Sequence, residues 1–541
     1  FQRHPTRKRA DFHRVILCET NCRTSSMEKQ QRSEAQAKCA SSAERKTVWK
    51  GIDFARCERR VRKLQVRIAK AQKEGRYNKV TALQHLLVTS FEAKGLAVRK
   101  VTSNKGKRTA GADHVLWDTD AKKINAVSSL KRRGYKALPL KRVNIPKKNG
   151  KMRPLGIPTM KDRAMQALYL MALEPIAETT ADANSYGFRK FRSAADAMDA
   201  LHRWLSKDCS PQWILEGDIK GCFDHISHQW LLDNVRIDKH ILEKWLKSGV
   251  VFNKLLQPTV EGTPQGGIIS PTLANMTLDG MERMLKEKYK VSYIDGKLYH
   301  PKVNCVRYAD DFIITADKRE ILEETKCMLI EFLGKRGLTL SEEKTLITHI
   351  SEGFDFLGFN VRKYNGTLLI KPSPKSQKRF TEKLHEVVFK KNKAVAQQKL
   401  IEDLNPVLRG WGNYYSSVVS KTTFSKIDHI LTNQLKRWSY RRHTNKSREW
   451  IKNKYFIKVG NRDWIFGFKY KDCEKGAIFT LMKLADIPIR RHVKVKCEAN
   501  PYDPTWDAYF LKRMQKRNRS RTSRKGTLSE TVACKGADEP I

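Results

Sequence analysis

Two adjacent carboxylates, Asp310 and Asp311, stand between two short strand-like runs, Cys305–Tyr308 and Phe312–Thr315. Only a tight turn fits between the runs, so the segment reads as a β-hairpin with both acids at or beside its tip. Neighbouring carboxylates repel each other and are costly to desolvate; a divalent cation between them makes the pair favourable. The chemistry that uses such a pair is in-line displacement at phosphorus, with two Mg²⁺ ions roughly 4 Å apart clamping the attacking and leaving oxygens. That chemistry needs a third carboxylate from a neighbouring strand. Trp213–Ile219 is strand-like, carries Asp218 near its end and is broken by Lys220-Gly221. Asp218, Asp310 and Asp311 are therefore predicted to converge at one end of a shared antiparallel sheet.

The elements that must hold these acids belong to a chain too long, at 541 residues, for one compact core. Lys and Arg number 107 against 57 Asp and Glu, a formal charge of +50. Such an excess repels itself unless a polyanion neutralises it, which points to nucleic acid and to binding that weakens steeply with salt. No apolar run approaches the roughly 18 residues of a membrane span, and the basic residues are spread along the chain rather than placed beside an anchor. The eleven Cys include no C-x-x-C pair, so reduced thiols are expected rather than a disulfide framework or a zinc site. Between Cys57 and Ala93 the apolar spacing is helical, with Val61, Leu64 and Ile68 on one face, a break at Gly75, and Val80, Leu83 and Leu87 beyond it. Val143–Pro146 reads as a strand leading into a basic turn, Lys147–Lys151, with Arg153 after it. Gly262–Ser270 is a glycine-rich loop carrying Pro264 and Gln265, and helix resumes after Pro271. From about Lys371 the chain is helical and basic, with one stripe at Leu400, Leu404, Leu408 and Trp411 and another at Ile427, Ile430, Leu431 and Leu435. A turn cluster at 500–504 precedes a short helix ending at Arg513, and the basic tail from Lys512 to Lys525 is expected to be disordered.

In order along the chain stand Arg153-Pro154-Leu155-Gly156-Ile157-Pro158-Thr159, Ser185-Tyr186-Gly187-Phe188-Arg189, Asp218–Asp224, Gly262-Thr263-Pro264-Gln265-Gly266-Gly267 with Ser270-Pro271, Tyr308–Phe312, Gly337–Lys344, Phe356-Leu357-Gly358-Phe359 and Arg409-Gly410-Trp411-Gly412-Asn413-Tyr414-Tyr415. This series resembles the reverse transcriptase–maturases encoded in group II introns, over about residues 47 to 510. The resemblance implies an α+β right-hand polymerase with fingers and palm, a helical thumb that is also the maturase (X) domain, and a small C-terminal DNA-binding region. The expected division is a flexible tail (1–46), a basic N-terminal extension and start of the fingers (47–140), fingers and palm (141–368), thumb and X domain (369–448), DNA-binding region (449–512) and a basic disordered tail (513–541).

The resemblance implies RNA-directed DNA synthesis with Asp218, Asp310 and Asp311 as catalytic metal ligands for Mg²⁺. Fixed cations at the fingers suit a triphosphate: Arg153 is one candidate, and Lys147, Lys148 or Lys151 a second, with Lys148 the choice. Gln265 can donate and accept hydrogen bonds beside an incoming nucleotide. Phe223, five residues after Asp218, matches a steric gate against the ribose 2′-OH, and Lys344 matches a phosphate-neutralising or proton-donating position. Arg409, Trp411, Tyr414 and Tyr415 are candidate nucleic-acid contacts, the aromatics by stacking on bases; anchoring of helices is an equal reading for them.

The implied partners are the parent intron RNA, a DNA target and dNTPs, with no membrane and the protein as a monomer or a dimer in a ribonucleoprotein active in retrohoming. Only Cys473, Cys497, Cys534 and His492 follow residue 450, so no HNH endonuclease is expected, and priming would use a nascent strand or another nick. The chain begins at Phe1; Met27 is a candidate initiator, and Asp11 and Glu19 argue against a transit peptide. A bacterial cytoplasm is the expected compartment, with an organelle the alternative. A splicing factor without polymerase activity is the rival reading, and the intact acid triad weighs against it. The segment at Arg409–Tyr415 weighs against retron, diversity-generating or CRISPR-linked relatives.

Overall fold

The computed structural model describes residues 48–526 apart from 147–149, 151, 253–254, 258, 260, 264–265, 295 and 470–477. The expected N-terminal tail, Lys147, Lys148, Lys151 and Gln265 lie outside the described residues.

Three helices, Phe54–Lys73, Tyr77–Thr89 and Phe91–Ser103, open the described chain. The break between the first two falls at Gly75, at φ +69°, where the spacing predicts it. Val61, Ile68, Val80, Leu83 and Leu87 are buried, which is why the chain folds here: the first two helices each hide an apolar stripe, and the third is buried on most sides, Lys94 included. Asp53 accepts from the Arg56 N–H and caps the first helix. Strand β1 (Leu140–Pro146) pairs antiparallel with β2 (Met152–Ile157). The helix Met160–Thr180 then runs through the middle of the core, with Ala164, Leu168 and Leu173 almost fully covered.

The palm sheet contains β3 (Trp213–Asp218), β8 (Asn304–Tyr308), β9 (Asp311–Ala316) and β10 (Leu346–His349) in the order β10-β3-β9-β8, antiparallel throughout. Alternation decides its packing. Leu215, Cys305, Phe312 and Ile314 join the core of N-terminal and palm helices. Ile214, Val306 and Ile313 face a second core built with the thumb. The Phe312 ring lies over Gly217, its cross-strand partner. Phe312→Ala is expected to cost about 3–5 kcal/mol. Of the other short strands, β4 (Val250–Phe252) and β5 (Leu255–Gln257) extend the β1–β2 sheet, and β6 (Ser292–Ile294) and β7 (Lys297–Tyr299) pair antiparallel as a separate hairpin.

After Pro271 the chain is helical, but as two helices, Ser270–Leu278 and Met281–Lys288, broken at Gly280 with φ +101°. Asp279 and Gly280 turn the chain there, and only glycine adopts that φ without strain. Lys371 sits not in a helix but in a three-stranded sheet, β11 (Phe354–Phe356), β12 (Phe359–Tyr364) and β13 (Thr367–Pro372). Pro374 begins the helical part, with Ser373 as its cap. The long helices Gln397–Tyr415 and Lys421–Arg442 follow. Leu400, Leu404, Leu408, Ile427, Leu431 and Leu435 are buried on the stripes that the sequence marks. The helix after the 500–504 turn spans Asp507–Gly526, so it does not end at Arg513, and the residues from Lys512 to Lys525 expected to be disordered are helical. No Pro or Gly interrupts 508–525, and Lys, Arg, Gln and Met are good helix formers. Among the described residues no helix is long and apolar enough to cross a membrane.

Candidate active site

The register of the palm sheet sets Asp218 directly opposite Asp311. Directly opposed residues share one face of a sheet, so β3 and β9 deliver two carboxylates to the same point. Ala309 and Asp310 form the turn that joins β8 to β9, with Ala309 at φ +59°. A left-handed alanine costs on the order of 1 kcal/mol and persists only where its surroundings enforce it. The enforcement is visible behind the turn. The Gly187 Cα is so close that a Cβ there would lie 2.4 Å from the Ala309 nitrogen. Arg307, 2% exposed, donates to Asp279 at 2.5 Å, to Asn275 Oδ1 at 3.2 Å and to the Ala309 carbonyl at 3.4 Å. Asn275 in turn donates to the Gly187 carbonyl at 2.8 Å.

The electrostatics of the front face are those of an acid cluster short of positive charge. Burial pushes Asp311 up to about 7, and the charges of Asp310 and Asp218 together with hydrogen bonding to Asp218 add to the rise. Burial also raises Asp310, and Asp218 adds to it, while Arg153 and Lys344 pull it back. Lys344 donates to Asp218 at 2.5 Å, and that bond raises its own pKa. Among the described residues no group of three or more His, Cys, Asp or Glu is drawn together as a ready-made metal cage. The donor set nonetheless suits a hard divalent cation: it is all oxygen, and burial disfavours the charged forms of Asp310 and Asp311, a cost that such an ion would offset.

Phe223 lies in the short helix Cys222–His225 directly after β3, with its carbonyl accepting from the Thr263 N–H at 2.6 Å. The edge of Phe188 meets it at 6.4 Å between centroids. The glycine-rich loop thus runs beside Phe223, and at its other end a Cβ on Gly266 would lie 2.1 Å from the Gly156 carbonyl of β2. Arg153 is paired with Ile145 across the β1–β2 hairpin and is exposed.

The four aromatic and basic candidates of the thumb divide. Tyr415 is 3% exposed, donates to the Gly358 carbonyl at 3.0 Å and bonds Ser376 at 2.6 Å. Trp411 stacks on Phe380 at 4.4 Å and 9°. Both rings are engaged by protein. Tyr414 is 44% exposed while its hydroxyl donates to the Leu357 carbonyl, and Arg409 is exposed. Tyr414 and Tyr415 together therefore fasten the thumb helix to the β11–β12 turn.

Sequence reasoning missed the layer behind the hairpin. The available signal was Arg307, a charged residue in a strand of otherwise apolar alternation. A buried guanidinium needs a carboxylate, but nothing local names Asp279 as its partner. Burial pushes Asp279 up to about 7 against the pull of Arg307. Glu216 was also missed: it shares the strand with Asp218, and burial raises it to about 7.

By its fold the chain is a polymerase of the reverse transcriptase class. Residues 145–361 match the family described as reverse transcriptase (RNA-dependent DNA polymerase), residues 49–130 the N-terminal domain of reverse transcriptase, and residues 377–456 the group II intron, maturase-specific domain. Protein YkfC of Escherichia coli (strain K12) is 35% identical over 311 residues, 50% of this chain and 81% of that protein. The group II intron-encoded protein LtrA of Lactococcus lactis subsp. cremoris is 32% identical over 414 residues, 59% of this chain and 68% of that protein. An uncharacterized 91 kDa protein in the cob intron of Schizosaccharomyces pombe is 27% identical over 412 residues, 61% of this chain and 50% of that protein. The chain belongs to the group II intron-encoded reverse transcriptase–maturases, and its activity is RNA-directed DNA synthesis joined to a maturase function.

Proposed function

We propose that this protein extends a primer along an RNA template at Asp218, Asp310 and Asp311, with Mg²⁺ as the metal. The observation that carries the reading is the register: Asp218 stands opposite Asp311, and Asp310 occupies the adjoining turn. Held by these carboxylates, two Mg²⁺ ions would supply activation of a primer 3′-OH and charge stabilisation at the leaving pyrophosphate. The chain's own groups bind and orient. Arg153 sets a fixed cation on the fingers hairpin, near enough to Asp310 to lower its pKa, and suits a triphosphate. Lys344 keeps an ammonium against Asp218, from which it can neutralise phosphate. Phe223 is the aromatic wall beside the glycine-rich loop, placed to exclude a 2′-OH. Lys148 and Gln265 complete the nucleotide contacts in this reading.

In the same reading Arg409 and Tyr414 contact nucleic acid from the thumb, and the chain's +50 charge is balanced by its parent intron RNA. The ribonucleoprotein then takes a DNA target and copies the intron into it by target-primed synthesis. The test is dTTP incorporation on poly(rA)/oligo(dT) with Mg²⁺, comparing the parent with an Asp310→Ala, Asp311→Ala double variant, while intron RNA binding is measured on both at one salt concentration. Synthesis lost with binding retained is expected. Equal synthesis by both proteins would overturn the site. No synthesis by the parent, with tight RNA binding, would leave only the splicing role.

A further inference from the structure

The segment after the thumb does not hang free. From residue 490 it runs back across the palm and fingers, and its bonds reach residues about 300 positions earlier. His492 meets Asp196 at 2.9 Å, and the Val495 N–H donates to the same oxygen at 2.8 Å. Arg192 donates to the Cys497 and Ala499 carbonyls at 3.4 and 3.3 Å. Tyr502, 2% exposed, donates to Glu174 at 2.6 Å and accepts from Lys190 at 2.7 Å.

One of these bonds ends in the layer behind the active hairpin. Lys494 Nζ donates to Asn184 Oδ1 at 3.1 Å. Asn184 is 6% exposed and every polar group it has is engaged. Its Oδ1 also accepts from the Tyr186 hydroxyl at 2.9 Å, and its Nδ2 and backbone N–H both donate to the buried Glu282 at 2.8 Å. Its carbonyl accepts from the Arg307 N–H at 3.0 Å, and the Tyr186 N–H donates back to the Arg307 carbonyl at 2.9 Å. Residues 184–187 therefore lie against β8 as a backing strip, and Gly187 at the end of the strip abuts Ala309 in the turn that carries Asp310. A cation from the C-terminal segment thus bonds the first residue of the strip whose last residue seats the acids.

We propose that Lys494 is a positioning residue of the polymerase centre: by fixing Asn184 it sets the 184–187 strip against which the Ala309–Asp310 turn is seated. The segment 490–502 is then part of the polymerase unit rather than only a nucleic-acid-binding appendage. This rests on the polymerase reading above. It separates from a DNA-binding role because Lys494 is half-buried and committed to protein acceptors, whereas its neighbour Lys496 is exposed.

The experiment compares Lys494→Met, Lys494→Arg and Lys496→Met with the parent in dTTP incorporation at saturating poly(rA)/oligo(dT), alongside primer–template affinity and thermal unfolding. Lys494→Met is expected to lower kcat about tenfold, the scale of a small misplacement of reacting groups, with KM for dTTP and primer–template affinity within about twofold of the parent. Lys494→Arg, which keeps a charged donor, should recover most of the rate. Lys496→Met, which removes an exposed cation with no bond to the 184–187 strip among the described residues, should leave kcat unchanged. Lys494→Met with parental kcat overturns the proposal, whether its affinity falls or only its melting temperature does. If that variant fails to fold, Lys494→Gln is read by the same criteria. A parent without synthesis would instead sink the polymerase reading itself.

Discussion

In the β8–β9 hairpin Val306, Phe312, Ile313 and Ile314 are each 1% exposed or less, whereas in the β1–β2 hairpin Val143, Ile145 and Met152 are 37%, 46% and 59% exposed. The first carries the acids and the second carries Arg153. Behind the acids lie two cores, a buried ion pair and a backbone contact. Around Arg153 the described parts of β1 and β2 leave Val143, Ile145 and Met152 open to solvent. Elements with few buried apolar contacts open at low free-energy cost. Under the proposed function, the contrast gives immobility to the carboxylates that would hold the metal ions and compliance to the cation that would meet a nucleotide.

The largest effect expected from this contrast is at the acids themselves. The Asp310→Ala, Asp311→Ala protein should lose synthesis by roughly 1,000-fold or more, about 4 kcal/mol of transition-state stabilisation, in the poly(rA)/oligo(dT) assay, without loss of folding. Next is the support. Arg307→Met strands the Asp279 carboxylate in the core, which costs about 3–5 kcal/mol. A urea titration should show it, and Arg307→Met with Asp279→Leu should regain much of that stability. A single variant as stable as the parent would break the claim that the hairpin is pinned from behind. Phe223→Ala belongs between the two hairpins. It is expected to raise ribonucleotide incorporation relative to deoxyribonucleotide by about 10- to 100-fold, scored by rUTP against dTTP competition. On the compliant side, Arg153→Gln should raise KM for dTTP about tenfold and move unfolding by no more than about 0.5 kcal/mol. A larger loss of stability would show that the fingers hairpin is as constrained as the palm.

The smallest effect is one of pH. Burial alone would raise the Asp196 carboxyl, but the His492 bond and charge, the Val495 N–H and Ser193 more than offset it, and the net shift is downward. The unfolded chain therefore holds that proton more tightly than the folded one, so the contribution is present above the ordinary carboxylate value, about 4, and is lost as pH falls through the lowered one. In Asp196→Asn the fall in stability between pH 6 and pH 3 should be smaller than in the parent, read from urea midpoints at each pH.

The acids were legible because strands write their faces at period two and stop at turn residues. Once Trp213–Ile219 and the hairpin are read as strands, the ends that carry Asp218 and Asp311 can be matched. The helical stripes of the thumb were legible for the same reason at period 3.6. What the sequence conceals is tertiary. Asp279 is 28 residues from Arg307 and sits at a helix break that the apolar spacing runs straight through. Lys494 is one lysine among many, and only the returning chain distinguishes it from Lys496. Lys371 lies in a basic stretch whose strand character depends on pairing with Asn360. Trp411 and Tyr415 have the composition of a base-stacking platform, and composition cannot tell whether a ring's faces are already covered.

Gly187 leads to a different kind of conclusion. Its Cα faces the backbone of Tyr308 and Ala309, not a side chain that could turn aside. Most joints in a protein can be loosened or tightened by degrees, one methyl group at a time. This one has a single setting. Natural or laboratory selection for a faster, slower or more accurate copying machine must leave this position alone and work through its surroundings.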